Sequence, residues 1–283
     1  MPELPEVETV KRAIADHALG GEITSVRQSG KTMRWPIPED IDAQLTGLTI
    51  HNLRRRGKYI LMDCGKGKTA SVTMILHLGM SGSVRIYPKR MTPEAQKHDH
   101  LILGVMRHDQ QENTVVLNDP RRFGGVQITA FGADEQHPLI NKMGVEPLGN
   151  AFSAEYMKEQ FQGKSAPIKS TLLDQRIIAG IGNIYASEAL FLAGISPKRA
   201  ARSVSLMRLE GLKDSIQTVL NKAIDAGGTS LRDHVQPGGE IGYFVQQLNV
   251  YGKEDQPCPH CAKPIKMIRQ TGRASFYCSD CQR

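Results

Sequence analysis

Apolar residues in this chain follow two periods, and the change from one to the other divides it. Between about residues 22 and 130 they come in short runs, at 22–28, 48–53, 59–63, 72–78, 83–87, 101–106, 114–117 and 126–131. These runs are rich in Val, Ile and Leu and are punctuated by Gly, Asp, Asn or Pro, as strands are. Their density predicts a β-sandwich. Ahead of them Val7, Val10 and Ile14 recur at helical spacing, and Gly20-Gly21 ends the run. The stretch 132–150, with two prolines and three glycines, breaks the strand pattern and reads as a linker. Helical spacing then takes over. Short helices are expected at 154–161 and 168–173, and another at 183–192 after the turn Gly180-Ile181-Gly182. A longer one carries Leu209, Leu212, Ile216, Val219, Ala223 and Ile224 on one face and ends at Gly227-Gly228. Residues 229–242 read as a loop, and the tail from Phe244 as strand-like. The fold class that follows is α+β and multidomain: an N-terminal β-sandwich over 1–131 with a leading helix, the linker 132–150, a helical domain over 151–243 and a β-hairpin tail over 244–283.

Composition narrows the class. At 283 residues the chain is one large domain or two ordinary ones. Thirty-six basic residues against 29 acidic ones give a net charge of +7. That balance suits a polyanionic partner, nucleic acid before a membrane surface. The first thirty residues are charged and periodic, without the apolar core of a signal peptide, and no apolar run approaches membrane-spanning length. Four of the five cysteines stand in C-x-x-C pairs, which points to a reducing compartment and a metal rather than disulfides.

Cys258-x2-Cys261 and Cys278-x2-Cys281, sixteen residues apart, are the strongest local signal. Four thiolates fill a tetrahedral zinc site and leave no open position, so one structural zinc is expected. Between the pairs, 265–269 and 274–277 alternate like two strands around Thr271-Gly272, with Arg273 at the tip, where a guanidinium can reach a phosphate. The N-terminus supports two readings. Pro5 at a first helical position, followed by Glu6 and Glu8, makes a good helix start. Alternatively, removal of Met1 leaves Pro2 as a free secondary amine, a nucleophile near neutral pH, with Glu3 and Glu6 beside it as acid and base. The cations of Arg54-Arg55-Arg56-Gly57-Lys58 read mostly as a solvated face. His77-Leu78-Gly79-Met80-Ser81-Gly82 and Asn118-Asp119-Pro120-Arg121-Arg122-Phe123-Gly124 are glycine-containing turns that display Met80, Arg121 and Phe123. His98-Asp99-His100 reads as a surface turn. Gly180 and Gly182 either let backbone N–H groups approach an anion at the helix start Asn183 or simply make a plain αα-corner.

Met1-Pro2-Glu3-Leu4-Pro5-Glu6-Val7-Glu8-Thr9, the Gly180-Ile181-Gly182 turn and the cysteine pairs together resemble the formamidopyrimidine-DNA glycosylase family over essentially the whole chain. The resemblance implies a bifunctional DNA glycosylase and AP lyase for oxidised purines. Its expected partner is double-stranded DNA with oxidised bases or abasic sites, held between a catalytic sandwich and a helix–two-turn–helix domain with its zinc hairpin. It implies Pro2 as nucleophile, Glu3 as proton donor supported by Glu6, and Lys58 and Arg273 in strand cleavage. It further implies Met80 and Phe123 as wedges, Arg121 as the contact to the base left unpaired, and His77, His98, Lys164, Lys169 and Asn183 as DNA contacts. A monomer acting in the bacterial cytoplasm, on the nucleoid, completes the expectation. Two departures are visible: a longer hairpin tip around 107–113, and Ala262 after the first knuckle, where glycine is more usual. The neighbouring readings are an endonuclease VIII-type enzyme for oxidised pyrimidines and a zinc-finger DNA-binding protein without catalysis. Leu4-Pro5 and the pair Arg121 and Phe123 favour the purine enzyme over the first. The N-terminal motif is left unexplained by the second.

Overall fold

The computed structural model describes residues 2–92, 94–229 and 247–283. Its contacts divide into two compact units: among the described residues, 2–141 with 227–229 form the first, and 142–226 with 247–283 the second.

The first unit opens with helix α1, Leu4–Ala18. A capping box closes its N-terminus, with the Glu6 carboxylate accepting the Glu3 N–H at 2.8 Å. Val7, Val10, Ile14 and Ala18 recur three or four residues apart and are all buried. Each of the larger ones removes enough apolar surface from water to contribute roughly 1.5–3 kcal/mol. Eight strands follow: β1 Glu22–Gln28, β2 Thr49–Arg56, β3 Tyr59–Gly65, β4 Val72–His77, β5 Ser83–Pro88, β6 Asp99–Met106, β7 Glu112–Asn118 and β8 Gly125–Ala130. All pair antiparallel in the order β5-β7-β6-β1-β2-β3-β4-β8. The β1–β2 pairing is limited to Glu22 and Thr49, so the sheet parts there into two halves of four strands. Ile23, Leu103, Val105 and Leu117 of one half share a single core with Ile50, Met62, Met74 and Val126 of the other, and α1 adds its apolar face. This is the expected sandwich. In β3 every residue is buried, Cys64 among them, and burial pushes that thiol up to about 12.

Two local features differ from the sequence reading. A one-turn helix, α2 (Ile41–Leu45), lies between β1 and β2 with both end residues buried. Five residues are too few for a 3.6-residue period to stand out from the prolines at 36 and 38. Asp99 and His100 belong to β6 and are buried instead of forming a surface turn. A bulge between Asp99 and Leu101 masks the strand alternation there.

The second unit holds α3 Ala154–Phe161, α4 Ile168–Leu172, α5 Asn183–Leu192 and α6 Leu206–Asp225. Helix α6 buries Leu209, Leu212, Ile216, Val219, Leu220, Ala223 and Ile224, the face its spacing predicts. Between α4 and α5 the two turns are stitched by Gln175, whose Oε1 accepts the Gly180 N–H at 2.8 Å while its Nε2 donates to the Ile181 carbonyl at 2.9 Å. Strands β9 Lys266–Gln270 and β10 Arg273–Tyr277 form the terminal hairpin. Strand character begins at Lys266; residues 247–265 run as turns, with one bridge between Pro257 and Pro264. Of the expected 229–242 loop only Thr229 lies within the described residues.

Candidate functional site

In the first unit the start of α1 buries two carboxylates, joined through its capping box, just after Pro2. Pro2 is buried, and Glu3 and Glu6 are each 2% exposed. Glu6 has a second partner that the sequence did not suggest: its Oε1 accepts the Thr229 N–H at 2.8 Å. Gly228 precedes that contact at φ +83, and a Cβ there would stand 3.1 Å from Oε1, so glycine suits both the conformation and the close approach. Glu6 thereby ties the Glu3 backbone, next to the candidate nucleophile, to the backbone of Thr229.

The arginine run is largely committed to the fold, contrary to the solvated face expected for it. Arg54 donates to both oxygens of Asp63 at 2.9 Å and to Asp134 at 3.0 Å. Arg55 donates through Nε to Glu8 at 3.2 Å and to the Gly57 carbonyl at 3.0 Å, joining α1 to the turn that carries Lys58. Burial opposes the charge on Glu8, yet Lys11, Arg12 and Arg55 together hold its carboxyl below the usual range. Nothing in the local sequence marks which of three consecutive arginines meets which carboxylate.

Met80, Arg121 and Phe123, from two turns about forty residues apart, come together. They line one groove of about 470 Å³ with Thr32, Met33, Arg34 and Arg122. The Arg121 guanidinium lies over the Phe123 ring at 4.8 Å. Met80 is 37% and Phe123 38% exposed, high for large apolar side chains in a unit with a packed core. Behind them His77 accepts the Gly79 N–H on Nδ1 at 3.0 Å and meets Trp35 edge-on at 5.0 Å. Burial, reinforced by Lys58 and Arg34 and opposed by Asp119, lowers His77 to about 4 and keeps it neutral at neutral pH. His98 is half-buried, and its carbonyl accepts the Asp119 N–H at 3.0 Å. Arg34, Trp35 and Asp119 are neighbours of this groove that sequence reasoning missed; the turn motif around Asp119 was its only available signal.

In the second unit three candidates converge on the hairpin. The Lys169 ammonium, on a residue 1% exposed, donates to the Ala274 carbonyl at 2.7 Å and to Ser275 Oγ at 2.9 Å. Asn183, at the start of α5, donates to the same carbonyl at 3.0 Å. Both therefore grip β10 one residue beyond Arg273, which is exposed. Lys164 stands apart from this cluster, half-buried beside a groove of about 330 Å³ with Ser165, Ser170 and Asp174.

Cys258, Cys261, Cys278 and Cys281 bring their sulfurs within 4.8 Å of one another, with Cys261–Cys278 at 3.4 Å and Cys258–Cys281 at 3.9 Å. Tetrahedral zinc with Zn–S of about 2.3 Å sets sulfurs about 3.8 Å apart, so the four residues fit the ion. Ala262 follows the knuckle at φ 60, which explains why glycine would suit the position. Cys258 and Cys278 pack with Phe191 of α5, Val250 and Ile265.

Comparisons with known proteins agree along the chain. The family model for the formamidopyrimidine-DNA glycosylase N-terminal domain matches residues 1–126, that for the H2TH domain of the same enzyme 143–235, and that for the zinc finger found in FPG and IleRS 255–283. The formamidopyrimidine-DNA glycosylases of Thiobacillus denitrificans and Ruegeria pomeroyi are 48% and 43% identical, with all of both chains covered. A crystal structure of MutM (Fpg) from Thermus thermophilus matches with a TM-score of 0.85 at 35% identity over 99% of this chain and 98% of that one. Lactococcus lactis Fpg in complex with abasic-site DNA matches at 0.87 and 32% identity over 99% of each. With the N-terminal, two-turn and zinc regions all matched in order from end to end, this chain belongs to the formamidopyrimidine-DNA glycosylase family.

Proposed function

We propose that this protein is a bifunctional DNA glycosylase and AP lyase that removes oxidised purines, 8-oxoguanine and formamidopyrimidines, from duplex DNA. The observation that carries the reading is the start of α1, where buried Pro2 adjoins two carboxylates that are each 2% exposed. With Met1 removed, the Pro2 amine attacks C1′ of the flipped nucleotide. The glycosidic bond breaks, and Glu3 supplies a proton to the sugar ring oxygen or the leaving base while Glu6 holds the backbone around it. The resulting Schiff base acidifies the neighbouring sugar protons. Their removal expels first the 3′- and then the 5′-phosphate, the β and δ eliminations. Lys58 and Arg273 serve these steps, and Met80, Arg121 and Phe123 fill the space the flipped nucleotide leaves. His77, His98, Lys164, Lys169 and Asn183 contact or orient the DNA. Zinc on the four cysteines supplies structure alone, supporting the hairpin that carries Arg273.

In this reading 1–131 is the catalytic domain, 132–150 the linker, 151–243 the helical DNA-binding domain and 244–283 the zinc hairpin. The protein acts as a monomer in the bacterial cytoplasm, on the nucleoid. Among the described residues no helix is long and apolar enough to cross a membrane. Borohydride reduction during incubation with an 8-oxoguanine duplex should trap a covalent protein–DNA adduct. Pro2→Gly should lose most of that trapping while still binding the duplex. Intact mass showing Met1 fully retained in an active sample would overturn the nucleophile assignment.

A further inference from the structure

Asp119 is fully buried, yet its carboxylate has a large part in the architecture of the groove. Oδ1 accepts the Ser81 hydroxyl at 2.7 Å and, at 3.3 Å, the Arg121 N–H that Ser81 Oγ also accepts at 3.2 Å, and Oδ2 accepts the Gly124 N–H at 2.8 Å. Ser81 follows Met80, and residues 121–124 include Arg121 and Phe123, so one side chain clasps both turns. The main chain of Asp119 adds to this hold, since its carbonyl accepts His100 Nε2 at 3.0 Å and the Arg122 N–H at 3.2 Å. The turns also touch backbone to backbone: a Cβ on Gly79 would stand 2.3 Å from the Gly124 nitrogen. Two oxygens meeting three donors require a carboxylate, because an amide would turn an NH2 toward one of them. Bonds from neutral donors to a buried carboxylate are among the stronger hydrogen bonds, so this clasp holds its turns firmly.

We propose that Asp119 is a positioning residue that holds Met80, Arg121 and Phe123 in one preformed array, so that the wedge enters the duplex with little ordering left to do. An array ordered before binding loses less conformational freedom on insertion than three independent loop tips would. This positioning role rests on the wedge reading above, and the two can fail separately.

The experiment compares single-turnover rates on a duplex with 8-oxoguanine opposite cytosine and on the same duplex with a preformed abasic site. Asp119→Asn should slow base excision about tenfold or more, the scale of one lost charged hydrogen bond, and slow cleavage of the abasic site by far less. Ser81→Ala, which removes one arm of the clasp and leaves the carboxylate, should show the same selectivity in weaker form. If Asp119→Asn fails to fold, Ser81→Ala decides: a loss selective for the paired lesion supports the proposal, and equal or no loss on the two substrates overturns it. Met80→Ala is the reference. Selectivity in Met80→Ala without any in Asp119→Asn and Ser81→Ala leaves the wedge reading standing and overturns the positioning role. Equal losses on both substrates for Met80→Ala overturn the two together.

Discussion

Single side chains here carry tasks that their burial distinguishes. Met80 and Phe123 remain more than a third exposed on turn tips, although the strands behind them bury their apolar residues. Truncating either to Ala should cost about 1–3 kcal/mol of stacking when a paired lesion must be extruded. The loss should be much smaller on a preformed abasic site, where no base remains to be turned out. Arg121→Ala should in addition blur the preference for the opposite base, because a guanidinium reads base edges by directed hydrogen bonds. Single-turnover excision against each opposite base measures both effects, and equal losses on lesion and abasic duplexes would mark Met80 and Phe123 as core. His77 gives a separate, pH-dependent expectation. Its folded value of about 4 lies below the ordinary 6.5, so the unfolded chain binds the proton more tightly. Acid therefore favours unfolding, and stability should fall as pH drops from 6.5 toward about 4, then level off in this contribution. His77→Asn keeps an acceptor for the Gly79 N–H and should flatten that slope in denaturant titrations. An unchanged slope would assign the effect to other groups.

At the scale of elements, α1 is anchored at several points. Glu6 ties its first turn to Thr229, and Glu8 ties it to Arg55 and hence to the β2–β3 turn with Lys58. Arg55 and Glu8 side chains are 10% and 12% exposed, so their pairing is sheltered from the screening that weakens surface ion pairs. Arg55→Gln should lower stability by about 1.5–3 kcal/mol, as expected for a hydrogen bond between charged groups. A double-mutant cycle with Glu8→Gln should show clear coupling, and strict additivity would mean that the contact contributes nothing. The hairpin is held in a comparable way: Lys169 and Asn183 converge on the Ala274 carbonyl, which sets the direction in which β10 presents Arg273.

At the scale of the whole molecule, the hairpin depends on four sulfurs that belong together only if an ion binds them. Cys258→Ser should release zinc, as metal analysis would show, and should also lower duplex affinity, because β9 and β10 lose the knuckles that anchor both ends. Full affinity in a metal-free protein would contradict this. The sandwich should be little affected, since its core is built from α1 and the strands of the first unit.

Much of this was legible in order along the chain. The eight strands, the 3.6-residue faces of α1 and α6 and the zinc knuckles are written in local periodicity and spacing, because a strand or helix must bury one side whatever its partners are. The short α2 and the Asp99–His100 segment were not, since five residues and a bulge leave too little period to read. What folding alone decided is which distant groups meet. Glu6 with Thr229, Arg55 with Glu8, Asp119 with Ser81 and Lys169 with Ala274 are separated by 223, 47, 38 and 105 positions. No local propensity encodes such pairs; each exists because a buried charged or polar group must find a partner once the core has closed around it.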